Sequence, residues 1–544
     1  MSVSEPTCAA VLARTLREAG INRMFGLPGG EILEFIHSAK REGIEFLLTR
    51  HEAAASFMAD VTGQIQRRPG VCVATLGPGA VNMTLGVANA YLDRSPLLAI
   101  TATMSASAAP FATHQKLDLN AVYRPFTKMQ VTLDGRDTAA KVRRALRESM
   151  RPRMGPVHIA VPSDIARLPE QPPTDTAAID IGPPPVPRAG AEALAVMAAE
   201  LANATRPVLI LGLDLDPYEH ARPAREFAER LGVPVFVTPK GKGLFPEDHP
   251  LFGGTCAGVA GDSVIVDFFR KADLLIGLGF EPVESDKLWH HDMKLVSIGP
   301  VSIAADDYRP HAEVVGDVAH ALSDLAGRSP GPYAWAADEL PKLRAELRQV
   351  LTPAGPLAGL SGFALTERLR ELMPRDTILA TDVGAIKSIT SQAWASYEPL
   401  TFFESNGLSA MSYGLPAAMA ARLQFPNRPV LCTMGDGGFG MTCAEIETCV
   451  REGLHFITVV YNDSSLSLIH VAQANRGHAP YGVDHGAVDF AAVGAAMGAW
   501  SRRVRTMGEL DAAVREGLTI DRPVVIDVVV DPKEYRAHNS PRTA

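Results

Sequence analysis

The chain has 544 residues, of which 47% are hydrophobic and 21% charged, with a formal net charge of −9. That length exceeds one ordinary core and points to about three globular domains. The acidic balance argues against a nucleic-acid partner, which needs a basic face, and against a polybasic membrane anchor. No apolar run reaches the ~20 residues of a membrane helix, so no membrane association is expected. The polar residues Met1 to Pro6 do not read as a signal peptide. The six cysteines, Cys8, Cys72, Cys256, Cys432, Cys443 and Cys449, include no Cys-x-x-Cys pair and read as reduced thiols. A cytoplasmic location is the expectation.

In chain order, residues 46–49 are apolar and 53–61 helix-like, so Glu52 falls at a strand-to-helix junction. Residues 71–75 read as a strand, Gly77-Pro78-Gly79 as a tight turn and 81–92 as a helix. The proline-rich segment 169–187 reads as a linker. Beyond it, strands at 208–211, 234–237 and 272–278 accompany a helix at 221–231. A second linker is expected from 328–332 through a charged stretch to about Pro356. In the last part, strands at 430–434 and 456–461 flank a helix. The expected fold class is therefore α/β, with three Rossmann-like, doubly wound parallel-sheet domains at 1–170, 188–330 and 357–544.

The most informative unit is the strand–loop–helix–strand at 430–463. Gly435, Gly437, Gly438 and Gly440 make a loop whose backbone a ligand can approach closely. Thr442 and Glu445 have capping-box spacing and are expected to start the helix; Arg451 lies in its last turn and Gly453 stops it. The next strand ends in Asn462-Asp463. In such a unit Asp436 and Asp463 can meet at the carboxyl edge of the sheet, where open α/β sheets bind ligands. Two hard carboxylates suit Mg²⁺ or Ca²⁺ rather than zinc, and a helix N-terminus beside them attracts phosphate. A metal-held diphosphate is the economical reading. The plainer one is a tight turn with Asp436 as a cap; the second acid weighs against it.

This segment resembles the cofactor motif of the thiamine diphosphate enzymes, a Gly-Asp-Gly turn followed by an Asn-Asn or Asn-Asp pair. The resemblance implies Mg²⁺ held by the side chains of Asp436 and Asp463 and by the Ser465 carbonyl. It makes Gly435, Gly437, Gly438, Leu466, Ser467 and Gly384 cofactor-binding residues, with Gly29, Pro78 and Asn82 from the N-terminal domain. Arg50-His51-Glu52 matches the family's catalytic acid. Glu52 would share a proton with N1′ of the aminopyrimidine, so that the 4′-nitrogen can take the thiazolium C2 proton. Within residues 407–416, Met411 falls at the family's apolar wedge position, and the Ser409 carbonyl would take the 4′-amino group. As a residue taken alone, Met411 also reads as a core methionine.

Within that family the chain is most similar to acetolactate synthases, above all the catabolic, FAD-independent type. The matching stretches include residues 25–30, 77–82, 113–118, 279–284 and 462–465. His114 and Gln115 would face the reaction centre as catalytic residues, or form an ordinary loop satisfied by backbone; Gln473 would line the acceptor side. The implied reaction is decarboxylation of a 2-oxo acid followed by carboligation, two pyruvates giving 2-acetolactate and CO₂. Simple decarboxylation, or acyloin formation with another donor, is the alternative. A non-catalytic regulatory paralogue is a third reading, against which the intact Glu52, Asp436 and Asp463 weigh. The central domain has no Gly-x-Gly-x-x-Gly fingerprint, so FAD is not expected. Family resemblance implies a homodimer at minimum, and a homotetramer, with each site shared between chains. No long C-terminal lid is expected after Tyr535. One departure is Glu31, where the catabolic enzymes usually carry Lys; it leaves donor and acceptor open.

Overall fold

Short apolar runs buried on both faces require helices on either side of a parallel sheet. The chain, described by a computed structural model over residues 5–538 apart from 106, 173, 175–181, 257, 285–292, 306, 307, 334 and 354, builds three such sheets of six strands each. The first contains β1 (Arg23–Gly26), β2 (Glu45–Leu48), β3 (Gly70–Ala74), β4 (Leu97–Thr103), β5 (Gln130–Thr132) and β6 (Pro156–Pro162), in the order β2-β1-β3-β4-β6-β5. The second contains β7 (Pro207–Leu211), β8 (Val235–Val237), β9 (Phe252–Thr255), β10 (Leu274–Leu278), β11 (Leu295–Gly299) and β12 (Glu313–Val315), ordered β12-β11-β10-β7-β8-β9. The third contains β13 (Ile378–Thr381), β14 (Phe402–Phe403), β15 (Val430–Gly435), β16 (Ile457–Asn462), β17 (Trp500–Val504) and β18 (Val524–Val529), ordered β14-β13-β15-β16-β18-β17. All pairings are parallel, and the expected fold class stands.

The first and third sheets share one strand permutation. In each, the chain leaves the first strand toward one edge and returns to the other side, so a crevice opens between β1 and β3 and between β13 and β15. Ligands bind outside the carboxyl ends of strands at such switch points. The chain divides into two compact units. One holds the first sheet with Gly407–Ala410 and Met419–Phe425; the other holds the second and third sheets.

The structure revises three sequence readings. The stretch expected as a linker after Arg328 contains the helix Glu339–Leu351. Leu340, Leu343 and Leu347 pack into the core around β7, β8 and β10, and Leu351 into that of Phe363 and Ile389. Its many charged residues lie on the other face, and they hid this 3.6-residue stripe from a reading based on composition. The helix expected at 81–92 is two helices, Pro78–Asn82 and Thr84–Leu92. The glycine loop after β15 is itself helical: Asp436–Thr442 starts directly at the strand end, and a second helix runs from Glu445 to Arg451. Thr442 therefore ends a helix rather than capping one, and its hydroxyl donates to the Gly438 carbonyl at 3.4 Å. Packing overrides the low helix propensity of glycine here, because Phe439 is fully buried edge-on against Phe490. Much of the proline-rich segment, residues 173 and 175–181, lies outside the described residues.

In the second sheet the corresponding crevice lies between β7 and β10, and a side chain fills it. Glu284 Oε2 accepts the amides of Leu213 and Glu281, both at 3.0 Å, and Oε1 accepts the Thr238 hydroxyl at 2.5 Å. A Cβ on Gly212 would come within 2.4 Å of Oε2. Burial pushes the Glu284 carboxyl up to about 8. A folded-state value above the ordinary 4.5 means that the native protein holds a proton the unfolded chain has lost. Stability therefore falls as pH rises from 4.5 toward about 8 and levels off above it. Glu284→Gln, which keeps an oxygen for the amides, is expected to gain thermal stability over the native protein. The gain should grow across that pH interval in melting curves; a pH-independent difference would show that Glu284 does not titrate there.

Candidate active site

In the first unit the switch-point crevice is lined from three strand ends. The chain after β2 turns at His51, whose Nδ1 accepts the Ala53 amide at 3.1 Å, and Glu52 is the first residue of the helix Glu52–Gln66. Its carboxylate is buried, 6% exposed. Oε2 accepts the Asn82 side-chain amide at 3.1 Å. Oε1 lies where only glycine fits, since a Cβ on Gly79 would sit 2.9 Å from it. Pro78 opens the short helix that presents Gly79 and Asn82, and the Tyr123 hydroxyl anchors that helix by donating to the Ala80 carbonyl at 2.6 Å. Gly29 follows β1 and faces Thr75 at the end of β3; a Cβ there would be 2.5 Å from the Thr75 hydroxyl oxygen.

Gln115 has a left-handed backbone, φ 54°, and its side chain lies over Gly77 at the same turn. His114 is exposed, and among the described residues no hydrogen bond joins it to Glu52. The structure thus gathers Gly29, Glu52, Pro78, Asn82 and Gln115, and leaves His114 on the surface.

In the second unit the third sheet positions the acids. Asp436 follows β15 at the N-terminus of its helix, and Asp463 follows β16, the neighbouring strand. Asp436 Oδ2 accepts the amides of Asp463 at 3.1 Å and Ser464 at 2.6 Å, and Oδ1 accepts that of Gly437 at 2.7 Å. Asp463 takes the Ser465 amide at 3.0 Å and the Ser467 hydroxyl at 2.8 Å. Burial raises the Asp436 carboxyl, and burial together with the Asp436 charge pushes Asp463 up to about 7. Two partly desolvated carboxylates that repel each other would be stabilised in their charged forms by a cation between them. Hard oxygens at a helix N-terminus match a divalent ion bridging to a diphosphate.

The floor beside them is shaped for a ligand. A Cβ on Gly437 would lie 2.9 Å from Leu466 and 3.3 Å from the Met411 methyl, so these three close on one another. Gly384 (φ 136°) opens the helix Ala385–Ala393 after β13 in a conformation that suits glycine. Ser465 hydrogen-bonds Asp484 at 2.8 Å through its hydroxyl, and Leu466 precedes the helix Ser467–Asn475. In that helix Gln473 braces the loop at Tyr481, donating to its carbonyl at 2.9 Å and accepting its amide at 3.1 Å. In the first unit, Ser409 is exposed, with φ 53°.

Two contributors escaped the sequence reading. Asp382, fully buried at the end of β13, accepts the amides of Ser412 at 3.1 Å, Tyr413 at 2.9 Å and Gly414 at 3.3 Å. Burial pushes it up to about 6. It fixes the backbone next to Met411, and a Cβ on Gly438 would land on it. Its place at a strand end across the switch point from Asp436 was the available signal. His485, whose Nε2 lies 3.6 Å from Asp436 Oδ1, comes from a loop with no sequence signature.

A parallel-sheet protein with a buried acid at one switch point and paired carboxylates at the other is the thiamine pyrophosphate enzyme architecture. Three family models match this chain: the N-terminal TPP binding domain at residues 6–122, the central domain at 194–325 and the C-terminal TPP binding domain at 382–528. The chain belongs to that family and is an enzyme. It is 32% identical to the "Probable 2-ketoarginine decarboxylase AruI" of Pseudomonas aeruginosa, over 94% of this chain and 92% of that protein. It is 29% identical to the catabolic acetolactate synthase of Raoultella terrigena, over 97% and 95%. With the acetolactate synthase of Bacillus subtilis it shares 27%, over 96% and 93%. Among the described residues no helix is long and apolar enough to cross a membrane.

Proposed function

We propose that this chain decarboxylates a 2-oxo acid with thiamine diphosphate held through Mg²⁺, and joins the remaining fragment to a second 2-oxo acid as acetolactate synthases do. The observation that carries the reading is the pairing of buried Asp436 with half-buried Asp463, whose amide donates to Asp436 Oδ2, beside the Gly437–Met411–Leu466 contact. When bound, the cofactor supplies a nucleophilic carbon and an electron sink. Asp436 and Asp463 hold the metal with the Ser465 carbonyl; Gly435, Gly437, Gly438, Gly384 and Ser467 line the diphosphate side. Glu52, fixed by Asn82, holds a proton at the aminopyrimidine, with Gly29 and Pro78 alongside. Met411 supports the cofactor and Ser409 takes its amino group. His114 and Gln115 meet the substrate.

The domains are 1–170, 188–330 with the helix Glu339–Leu351 packed on its core, and 357–544, and the active form is a homodimer or homotetramer. A fully active monomer would contradict this.

A second reading, release of the decarboxylated fragment as an aldehyde, is favoured by the relative whose name is a decarboxylase. Product analysis with pyruvate, thiamine diphosphate and Mg²⁺ separates the two. Acetolactate, detected as acetoin after acid treatment, supports ligation, and acetaldehyde alone rules it out.

A further inference from the structure

Glu31 stands at the first unit's switch-point crevice, two residues beyond Gly29 on the chain leaving β1. Its Oε2 accepts the Thr75 hydroxyl at 2.7 Å. Thr75 also packs toward the Glu52 turn, since a Cβ on Gly79 would lie 3.2 Å from its methyl and 2.9 Å from Glu52 Oε1. Glu31 and Glu52 are thus separated by one side chain on the same crevice wall. Glu31 is only partly buried. Among the described residues its hydrogen-bond partner is one neutral hydroxyl, on Oε2, and Oε1 has none. Among the described residues no Lys, Arg or His forms an ion pair with it, whereas Glu34, three residues on, pairs with Arg167 at 3.4 Å.

We infer that Glu31 determines substrate choice by pairing with a cation at the far end of the 2-oxo acid. The inference rests on the proposed decarboxylation. A carboxylate fixed by one hydroxyl, with its second oxygen free, fits the planar fork of a guanidinium or the point charge of an ammonium. The same charge disfavours a short substrate, whose own carboxylate would approach a second acid beside Glu52. The substrate class is a 2-oxo acid with a guanidinium- or ammonium-terminated chain. Glu31 is a specificity-determining residue, remote from the bond that breaks; the carboxyl carbon leaves as CO₂ and no redox partner is required.

The test uses the holoenzyme reconstituted with thiamine diphosphate and Mg²⁺, in native form and as Glu31→Gln, which keeps an oxygen for Thr75. CO₂ release is followed with 5-guanidino-2-oxopentanoate, with 2-oxooctanoate as a neutral chain of similar length, and with pyruvate. Binding of the unreactive 5-guanidinopentanoate is measured by calorimetry. The native enzyme is expected to prefer the guanidino acid. In Glu31→Gln, kcat/KM for that acid and affinity for the analogue should each fall about 10- to 100-fold, the span of one charge-assisted hydrogen bond. Kinetics with 2-oxooctanoate should stay unchanged. Equal losses on charged and neutral substrates, or none on either, overturn the inference, as does failure of the analogue to bind. If the analogue binds in a Glu31-dependent way but no 2-oxo acid releases CO₂, the pairing stands and the decarboxylation reading falls.

Discussion

Glu52→Gln is expected to lower turnover by about 100- to 10,000-fold, the usual worth of a positioned acid–base group, while leaving cofactor affinity within a few-fold. The substitution preserves shape. Gln can accept the Asn82 amide as Oε2 does at 3.1 Å, and the space opened by the missing Cβ of Gly79 is unchanged. The helix beginning at residue 52 keeps its His51 cap. What disappears is an exchangeable carboxyl proton. An amide can hydrogen-bond the aminopyrimidine but cannot share a proton with it. CO₂ release measured beside cofactor binding by fluorescence quenching separates the two roles. Unchanged turnover would remove Glu52 from the proton relay; lost binding with lost turnover would make it a structural cap.

The two halves of the candidate site were legible to different degrees. Asp436 and Asp463 could be paired because a strand–helix–strand unit has one geometry: parallel neighbours end at the same edge, and β15 and β16 are such neighbours. Glu52 was legible because Arg50-His51-Glu52 matches the catalytic acid of the family; its place at a strand-to-helix junction alone would have left it an ordinary helix-terminal acid. The local course of the chain was less so. The reading of a glycine loop with a later capping box used propensity, yet burial of Phe439 makes that segment helical from Asp436 onward. The charged stretch at 339–351 concealed a leucine stripe for the opposite reason, because composition was weighed before period. Asp382 was missed although it obeys the strand-end rule used for Asp436, since its partners lie about 30 residues downstream and no local pattern announces them.

The common strand order of the first and third sheets gives these placements one cause. Each sheet opens a crevice at its switch point, and each carries its acids at that point: Glu31 and Glu52 in one, Asp382 and Asp436 in the other. The second sheet has a different order, and at its own crevice Glu284 occupies the space beside Gly212. A carboxylate there takes the amides that would otherwise be free for a phosphate.

Asp436→Ala is expected to abolish retention of both Mg²⁺ and thiamine diphosphate. The loss should exceed the ~10- to 100-fold that removing an outer-shell partner costs. Two effects add. On the proposed reading the variant deletes a direct donor to the ion, and it strips three amides, those of Gly437, Asp463 and Ser464, of the carboxylate oxygens that organise them. The loop bearing Asp463 and Ser465 then loses its anchor to β15, so the remaining ligands are misplaced as well as fewer. Ser467→Ala provides the graded comparison: among the described residues its hydroxyl bonds only Asp463, at 2.8 Å, and on the proposed reading it lines the diphosphate side without holding the ion, so its removal should fall within that 10- to 100-fold span. Calorimetric titration of the apoenzyme with thiamine diphosphate at fixed Mg²⁺ ranks the two variants. A folded Asp436→Ala protein that still binds cofactor would count against the metal site. Equal losses in the two variants would assign the effect to loop order rather than to ligation. The order native, Ser467→Ala, Asp436→Ala is what direct coordination by Asp436 requires.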